Sequence, residues 1–335
     1  MKVLNPTLDE EAISKAAKLI RAGEVVAIPT ETVYGLAADG LNGEACYRIF
    51  AAKNRPADNP LILHIAKLED LGRLTPVPEL GEALFPLWPG PLTLIFPKSD
   101  IIPDCVTAGG ETVAIRMPTH PIARAVIEAT GSPLAAPSAN LSGKPSPTNA
   151  EDVIEDMEGR IAAVLDGGPC AIGVESTVVD LTSKPAKILR PGYYTEEDLR
   201  AYIPDITTDA ALIKDREIPK SPGQKYRHYA PRAEVEVYMG KREHVHEAMR
   251  LRLQGDVLTG VLVFDDSMEY FPEPKIAMGP REDIHVMGER LFSALRAMDR
   301  RGADRILIEF RHEKGFGETL YNRLMKASSG KMIDV

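Results

Sequence analysis

A chain of 335 residues with 44% apolar residues is long enough for about two domains of roughly 150 residues, each with its own buried core. The 49 acidic against 40 basic residues give a formal net charge of -9, which argues against broad electrostatic capture of nucleic acid or anionic membrane and confines any polyanion site to a local pocket. Three scattered cysteines, Cys46, Cys105 and Cys170, do not make a disulfide framework or a zinc cluster and read as small buried hydrophobes.

The first residues, Met-Lys-Val-Leu-Asn-Pro-Thr, hold no apolar stretch of signal-peptide length, and no later stretch reaches the ~18 apolar residues of a spanning helix. A cytoplasmic location is the expectation. Thr7 and Glu10 form a capping-box start to a helix with Ala12, Ile13, Ala16, Ala17, Leu19 and Ile20 on one face, ended by Gly23. Val25 to Ile28 then reads as a buried strand. Similar runs recur at Leu61 to Ile65, Leu92 to Phe96, Val113 to Arg116, Leu134 to Ala136, Ala162 to Leu165, Thr177 to Leu181 and Ala186 to Leu189. Helical patterns fall near Gly43 to Lys53, Pro78 to Leu87, Pro121 to Thr130 and Asn149 to Met157. Several strands are too close in sequence for a helical crossover, so the expected fold is α/β with a mixed sheet rather than a doubly wound parallel one.

From Tyr202 to Pro231 the pattern dissolves into Pro204, Pro219, Pro222 and polar residues. That gives a first domain over residues 1–203, a connecting segment over 204–231 and a second domain over 232–335. In the second, Val235 to Tyr238, a helix near Glu243 to Leu253, Val261 to Phe264, a helix near Met287 to Arg301 and Ile306 to Glu309 make a βαβαβ unit with a small parallel sheet. No Gly-x-Gly-x-x-Gly follows its first strand, so it carries no dinucleotide fingerprint. The end of the connecting segment, Ser221 to Pro231, packs Lys225, Arg227 and His228 beside Tyr226 and Tyr229 without an acid, and reads as a cover for something anionic.

Polar clusters gather at the ends of the predicted strands, where an open α/β sheet presents its ligand crevice. Pro29-Thr30-Glu31-Thr32-Val33-Tyr34-Gly35-Leu36 suits close contact with a small polar ligand, although standing alone it reads rather as a turn with capping hydroxyls. Lys53-Asn54-Arg55-Pro56 offers two cations for a polyphosphate, or a solvated helix end. His64, inside an apolar strand, is a satisfied core histidine or a ligand contact. Thr112 and Arg116 share a strand face, and a semi-buried guanidinium at Arg116 needs either an internal acid or a substrate carboxylate. Pro137-Ser138-Ala139-Asn140-Leu141-Ser142-Gly143 with Ser146-Pro147-Thr148 is a rigid hydroxyl-rich loop, and Glu175-Ser176-Thr177 and Leu189-Arg190-Pro191-Gly192 complete the set. No serine sits in a Gly-x-Ser-x-Gly elbow. Among the seven histidines only His244-Val245-His246 forms a close pair, on a predicted helix where the two diverge, so no protein metal site is expected.

In this order, Pro-Thr-Glu-Thr-Val-Tyr-Gly-Leu, Lys-x-Arg-Pro with Asn-Pro-Leu, Trp88-Pro89-Gly90-Pro91-Leu92-Thr93, Arg116-Met117-Pro118, Pro-Ser-Ala-Asn-Leu-Ser-Gly, Glu-Ser-Thr-Val-Val-Asp and Leu-Arg-Pro-Gly closely resemble the YrdC-like threonylcarbamoyl-AMP synthase family. The basic strap and the βαβ tail extend the resemblance to its long, two-domain form. The resemblance implies a twisted mixed-sheet catalytic domain followed by a small Rossmann-like parallel α/β domain. It implies a nucleotidyltransferase that joins L-threonine, bicarbonate or CO2, and ATP into threonylcarbamoyl-AMP and pyrophosphate. A separate transferase would then pass the threonylcarbamoyl group to an adenosine of certain tRNAs.

Residue by residue, the resemblance carries ATP contacts onto Arg55, Asn59, Thr112, Ser138, Ser146, Arg190 and Tyr229, and threonine contacts onto Thr32, His64, Arg116, Ala136 and Ser176. Lys53 and Arg55 are the candidates for stabilising the departing pyrophosphate. Mg2+ is expected to ride on the phosphates. The Ser221 to Pro231 strap is then read as a lid over the nucleotide. The rival reading is an RNA-binding module on the same fold without catalysis, which an acidic composition does not favour.

Overall fold

The computed structural model describes residues 1–4, 10–209, 229–255 and 257–335. Thr7 of the expected capping box, and Ser221 to His228 of the expected lid, lie outside the described residues. The chain divides into two compact units, Met1–Ser142 with Pro147–Tyr226 and Gly143–Ser146 with Arg227–Val335.

The first unit is built on a sheet of 11 strands among the described residues. Their order is Lys2–Leu4, Ala163–Leu165, Val26–Ile28, Gly35–Asp39, Leu134–Ala135, Ile62–His64, Thr112–Arg116, Leu92–Pro97, Thr177–Asp180, Lys187–Arg190 and Thr207–Thr208. Pairing is mixed, as the short connections require: Val26–Ile28 runs antiparallel to Gly35–Asp39, whereas Ile62–His64 runs parallel to Thr112–Arg116. Gly35–Asp39, with the sequence Gly-Leu-Ala-Ala-Asp, is a strand that no apolar run announces.

The period of two sorts side chains onto the two faces. Ala27, Leu36, Ala38, Leu63, Leu94 and Ile115 enter the larger core, packed with Ala45, Ile49 and Phe50 of helix Gly43–Lys53. Val26, Ile28, Ala37 and Leu134 point the other way, against Ala16 and Ile20 of helix Glu10–Arg21 and Ile122, Val126 and Ile127 of helix Pro121–Thr130. Farther along that sheet Ile62, Ile95, Ala114, Val178 and Leu189 form a small separate cluster. By the same alternation His64, Thr93, Arg116 and Ser176 share the face of Ile62, Ile95, Ala114 and Val178.

Local chemistry sets the helix ends. Asn42 caps Gly43–Lys53 by accepting from the Ala45 N–H at 3.2 Å, and Asn54 closes it in the left-handed region at φ 51°. Pro121 opens the next helix and Gly131, at φ 74°, ends it.

In the second unit five strands form a wholly parallel sheet in the order Lys275–Ala277, Thr259–Val263, Arg305–Glu309, Glu234–Met239 and Met332–Asp334. The expected βαβαβ unit is present, extended by helix Phe316–Ala327 and two short outer strands. His246 is buried beside Ser267 Oγ at 2.9 Å and Glu309 Oε1 at 3.4 Å, and Arg281 holds the same Glu309 at 2.7 Å. No helix among the described residues is long and apolar enough to cross a membrane.

Candidate active site

Register places the site. Leu134 pairs with His64, His64 with Arg116, Arg116 with Thr93 and Thr93 with Val178, so one row crosses five neighbouring strands. Adjacent strands lie about 4.8 Å apart, which brings the His64, Arg116 and Thr93 side chains together on one face.

Arg116, 4% exposed, donates from Nη1 to Thr32 Oγ1 at 2.8 Å, and its Nη2 lies 2.6 Å from Glu31 Oε1. The Glu31 contact is an ion pair without hydrogen-bond alignment: both Glu31 carboxylate oxygens, and Arg116 Nε and Nη2, have no aligned partner. Thr30 Oγ1 stands 3.0 Å from Thr32 Oγ1 and donates to Val33 O, which fixes the turn that presents Glu31 and Thr32. An internal acid does lie beside Arg116, and it is Glu31. Thr93 Oγ1 and Ser176 Oγ lie 2.7 Å apart, and Arg190 donates to both Ser176 O and Ser176 Oγ at 3.0 Å. Thr32, Arg116, Ser176, Arg190 and His64 are therefore gathered at one place from five separate stretches of sequence.

The Trp-Pro-Gly-Pro turn explains how Thr93 arrives there. Trp88 Nε1 donates to Leu92 O at 2.7 Å, Gly90 N donates to Met117 O at 2.8 Å, and a Cβ on Gly90 would sit 2.2 Å from Leu87 O. Gly192 does similar service for Ser176. A Cβ there would meet Thr177 N at 2.2 Å and Ser176 C at 2.5 Å, both backbone atoms that cannot rotate away. Gly192→Ala is expected to lose about 1–3 kcal/mol of stability and to raise the KM of a substrate that contacts Ser176. Thermal melting and steady-state kinetics check both, and an unshifted melt refutes the close-approach argument.

His64 Nδ1 lies 3.2 Å from Ile62 O, and burial, reinforced by the Arg116 charge, lowers its pKa from 6.5 to about 3. The folded protein thus keeps a neutral imidazole that the unfolded chain protonates. This contribution to stability is complete above pH 6.5 and is lost as pH falls from there towards 3, by up to about 1.4 kcal/mol per pH unit. Urea midpoints measured from about pH 7 to 4 should fall less steeply for His64→Gln than for the parent. Identical slopes would show that His64 is not the group responsible.

The two cations of Lys-Asn-Arg part company at the left-handed Asn54. Lys53, 1% exposed, turns inward and donates to Ser138 O and to Asn140 O, the latter at 2.7 Å. Arg55, half-buried, folds over Asn59 O and Pro60 O at 3.2 and 2.9 Å. Buried Asn59 leaves its side-chain Oδ1 without a partner. The Ser138 loop is held from the other side by the Gly35–Ser138 bridge and by Ala139 N donating to Tyr34 O at 2.8 Å. Tyr34 itself is anchored through its hydroxyl on Gly168 O at 2.7 Å, and burial pushes that phenol up.

Ala136 lies buried in the same central region, 3.3 Å from where a Cβ on Gly35 would stand. Thr112 is apart from the row, four residues from Arg116 at the far end of the strand and so about 13 Å away. Ser146 and Tyr229 belong to the second unit, where Tyr229 is buried at φ 63° and stacks on Phe292 with centroids 5.1 Å apart. No three His, Cys, Asp or Glu residues gather to hold a metal ion among the described residues. Glu31 and Thr93 are site residues that sequence reasoning did not single out. The one available signal was an acid in an otherwise neutral, threonine-rich turn after a buried strand.

Two family models match. One, described as "Telomere recombination" and covering the Sua5, YciO and YrdC proteins, takes in residues 18–192, and one for the C-terminal domain of threonylcarbamoyl-AMP synthase takes in 194–329. The threonylcarbamoyl-AMP synthase of Bacillus subtilis is 46% identical over 97% of this chain and 95% of its own. That of Pyrococcus abyssi is 47% identical over 98% of this chain and 97% of its own. A crystal structure of P. abyssi Sua5 complexed with L-threonine superposes with a TM-score of 0.94 at 46% identity, covering 100% of this chain and 99% of that one. With both of its parts matched in order and full-length relatives on either side, the chain belongs to the Sua5–YciO–YrdC family, in the form that carries the Sua5 C-terminal domain.

Proposed function

We propose that this protein is a threonylcarbamoyl-AMP synthase, a nucleotidyltransferase that converts L-threonine, bicarbonate and ATP into threonylcarbamoyl-AMP and pyrophosphate. The observation that carries the reading is the buried group formed by Thr32, Arg116, Ser176 and Arg190, in a chain matched end to end by a threonine-bound relative. Arg116 takes the amino-acid carboxylate in a two-point contact. Thr32, Ser176 and the neutral His64 offer hydrogen bonds to its remaining polar groups, and Ala136 packs against its methyl.

The second step, attack of a carbamate oxygen on the α-phosphate, requires no protein nucleophile. It requires in-line positioning and charge stabilisation on the leaving pyrophosphate. Arg55, Asn59, Thr112, Ser138 and Arg190 are proposed for ATP, with Lys53 adding charge and holding the Ser138 loop in place. Mg2+ would arrive on the phosphate oxygens with several waters. The product would pass to a separate transferase acting on tRNA.

Purified protein incubated with ATP, labelled bicarbonate and either threonine, serine or valine tests the reading directly. A labelled adenylate with threonine is expected. Serine should react less well by about 1–3 kcal/mol, and valine, which leaves buried polar groups unpaired, should be rejected more strongly. Adenylate formation independent of threonine, or RNA binding without turnover, would overturn it.

A further inference from the structure

Glu31 is a carboxylate 8% exposed to solvent, and neither oxygen has an aligned hydrogen bond. Arg116 Nη2 lies 2.6 Å from its Oε1, off the line a hydrogen bond needs. Buried charges are costly unless both paired and hydrogen-bonded, and here only the first condition is met. Glu31 thus leaves acceptors unmet beside an Arg116 whose Nε and Nη2 donors are also unmet. An α-amino acid carries the complementary pair on one carbon, a carboxylate for Arg116 and an ammonium for Glu31. Bound beside the pair, it supplies the aligned partners that both lack.

We propose that Glu31 receives the amino group of the threonine and accepts the proton whose removal makes that nitrogen nucleophilic. The proposal rests on the synthase reading above. An ammonium has no lone pair, so carbamate formation must begin with a proton transfer to a base, and Glu31 is a carboxylate that lies beside Arg116. The balance is complete. The ammonium gives one proton to Glu31, its nitrogen forms a bond to the carbon of bicarbonate, and the bicarbonate hydroxyl leaves with a second nitrogen proton as water. The products are the carbamate anion, water and protonated Glu31.

Arg116, His120, Cys170 and Tyr194 each interact electrostatically with Glu31. Burial holds the His120 pKa down and the Cys170 and Tyr194 pKa values up, so all three stay neutral around pH 7, leaving Arg116 as the cation beside Glu31. Transfer of the ammonium proton to Glu31 and its later release to solvent therefore take place next to a fixed positive charge.

The full-length parent and Glu31→Gln are compared in both directions. Forward synthesis from threonine, bicarbonate and ATP needs the proton transfer, and is expected to fall about 100-fold or more in Glu31→Gln. Regeneration of ATP from preformed threonylcarbamoyl-AMP and pyrophosphate does not pass through that step, and should fall at least about tenfold less than forward synthesis does. Equal losses in both directions would make Glu31 a mere counter-ion to Arg116 and overturn the proposal, as would an undiminished forward rate. If Glu31→Gln does not fold, the parent alone decides. Its affinity for 3-hydroxybutyrate, which is threonine without the amino group, should be at least about tenfold weaker than for threonine, and equal affinity overturns the contact. A parent protein inactive in both directions would sink the synthase reading itself, an outcome distinct from any of these.

Discussion

Arg116→Ala is expected to lose threonine-dependent adenylate formation by about 2–5 kcal/mol of transition-state stabilisation, a fall of about 30- to 5,000-fold. Two costs add. The substrate carboxylate loses its two-point partner, and Glu31, 2.6 Å away and buried, becomes an uncompensated charge. The second cost is borne without substrate, so the melting temperature should fall along with activity. Arg116→Lys separates the two, because it restores charge beside Glu31 but cannot reproduce the fork that reaches Thr32 Oγ1 at 2.8 Å. It should recover most of the stability and little of the activity. Recovery of both by lysine would reduce Arg116 to a point charge and refute the two-point role.

Lys53→Met carries the other large effect. The ammonium is buried and donates to two backbone carbonyls of one loop, Ser138 O and Asn140 O. Methionine fills the volume but offers neither hydrogen bond, and each buried acceptor left without its donor costs about 1–3 kcal/mol. A loss of about 3 kcal/mol in urea unfolding is expected, with a raised KM for ATP where Ser138 is displaced. A merely electrostatic part for Lys53 in pyrophosphate release would instead lower turnover with stability intact, and the two measurements together discriminate the cases.

Those two residues also show what the sequence could and could not disclose. Most of the longer strands and helices, though not helix Phe316–Ala327, announced themselves because apolar periodicity survives without any tertiary knowledge. Gly35–Asp39, Lys275–Ala277 and Lys2–Leu4 did not, being short or built of small residues whose extended state is imposed by neighbouring strands. At the site, motif order pointed to residues that the sheet brings together, among them Thr32, Arg116, Ser176 and Arg190, and alternation put Arg116 on a defined face. That its partners are Glu31 and Thr32, 84 positions away in the case of Thr32, follows only from strand order. Lys53 and Arg55 looked like a matched pair of surface cations. The left-handed Asn54 between them sends one inward to a loop and the other back over its own chain, and side-chain direction after such a turn is not written in the spacing.

The row from Leu134 through His64, Arg116 and Thr93 to Val178 has a consequence for how this protein comes into being. Its members are drawn from positions scattered over more than half of the first unit, and no two neighbours in the row are neighbours in the chain. Each pairing closes a long loop, an entropic debt that local helices never incur. A nascent chain released before Arg190 can therefore own most of the motif residues and still lack the finished site, since the strand that brings Arg190 to Ser176 comes late in the sequence of the sheet. Competence in this molecule comes with completion, and a partly built sheet has no weaker version of it to offer.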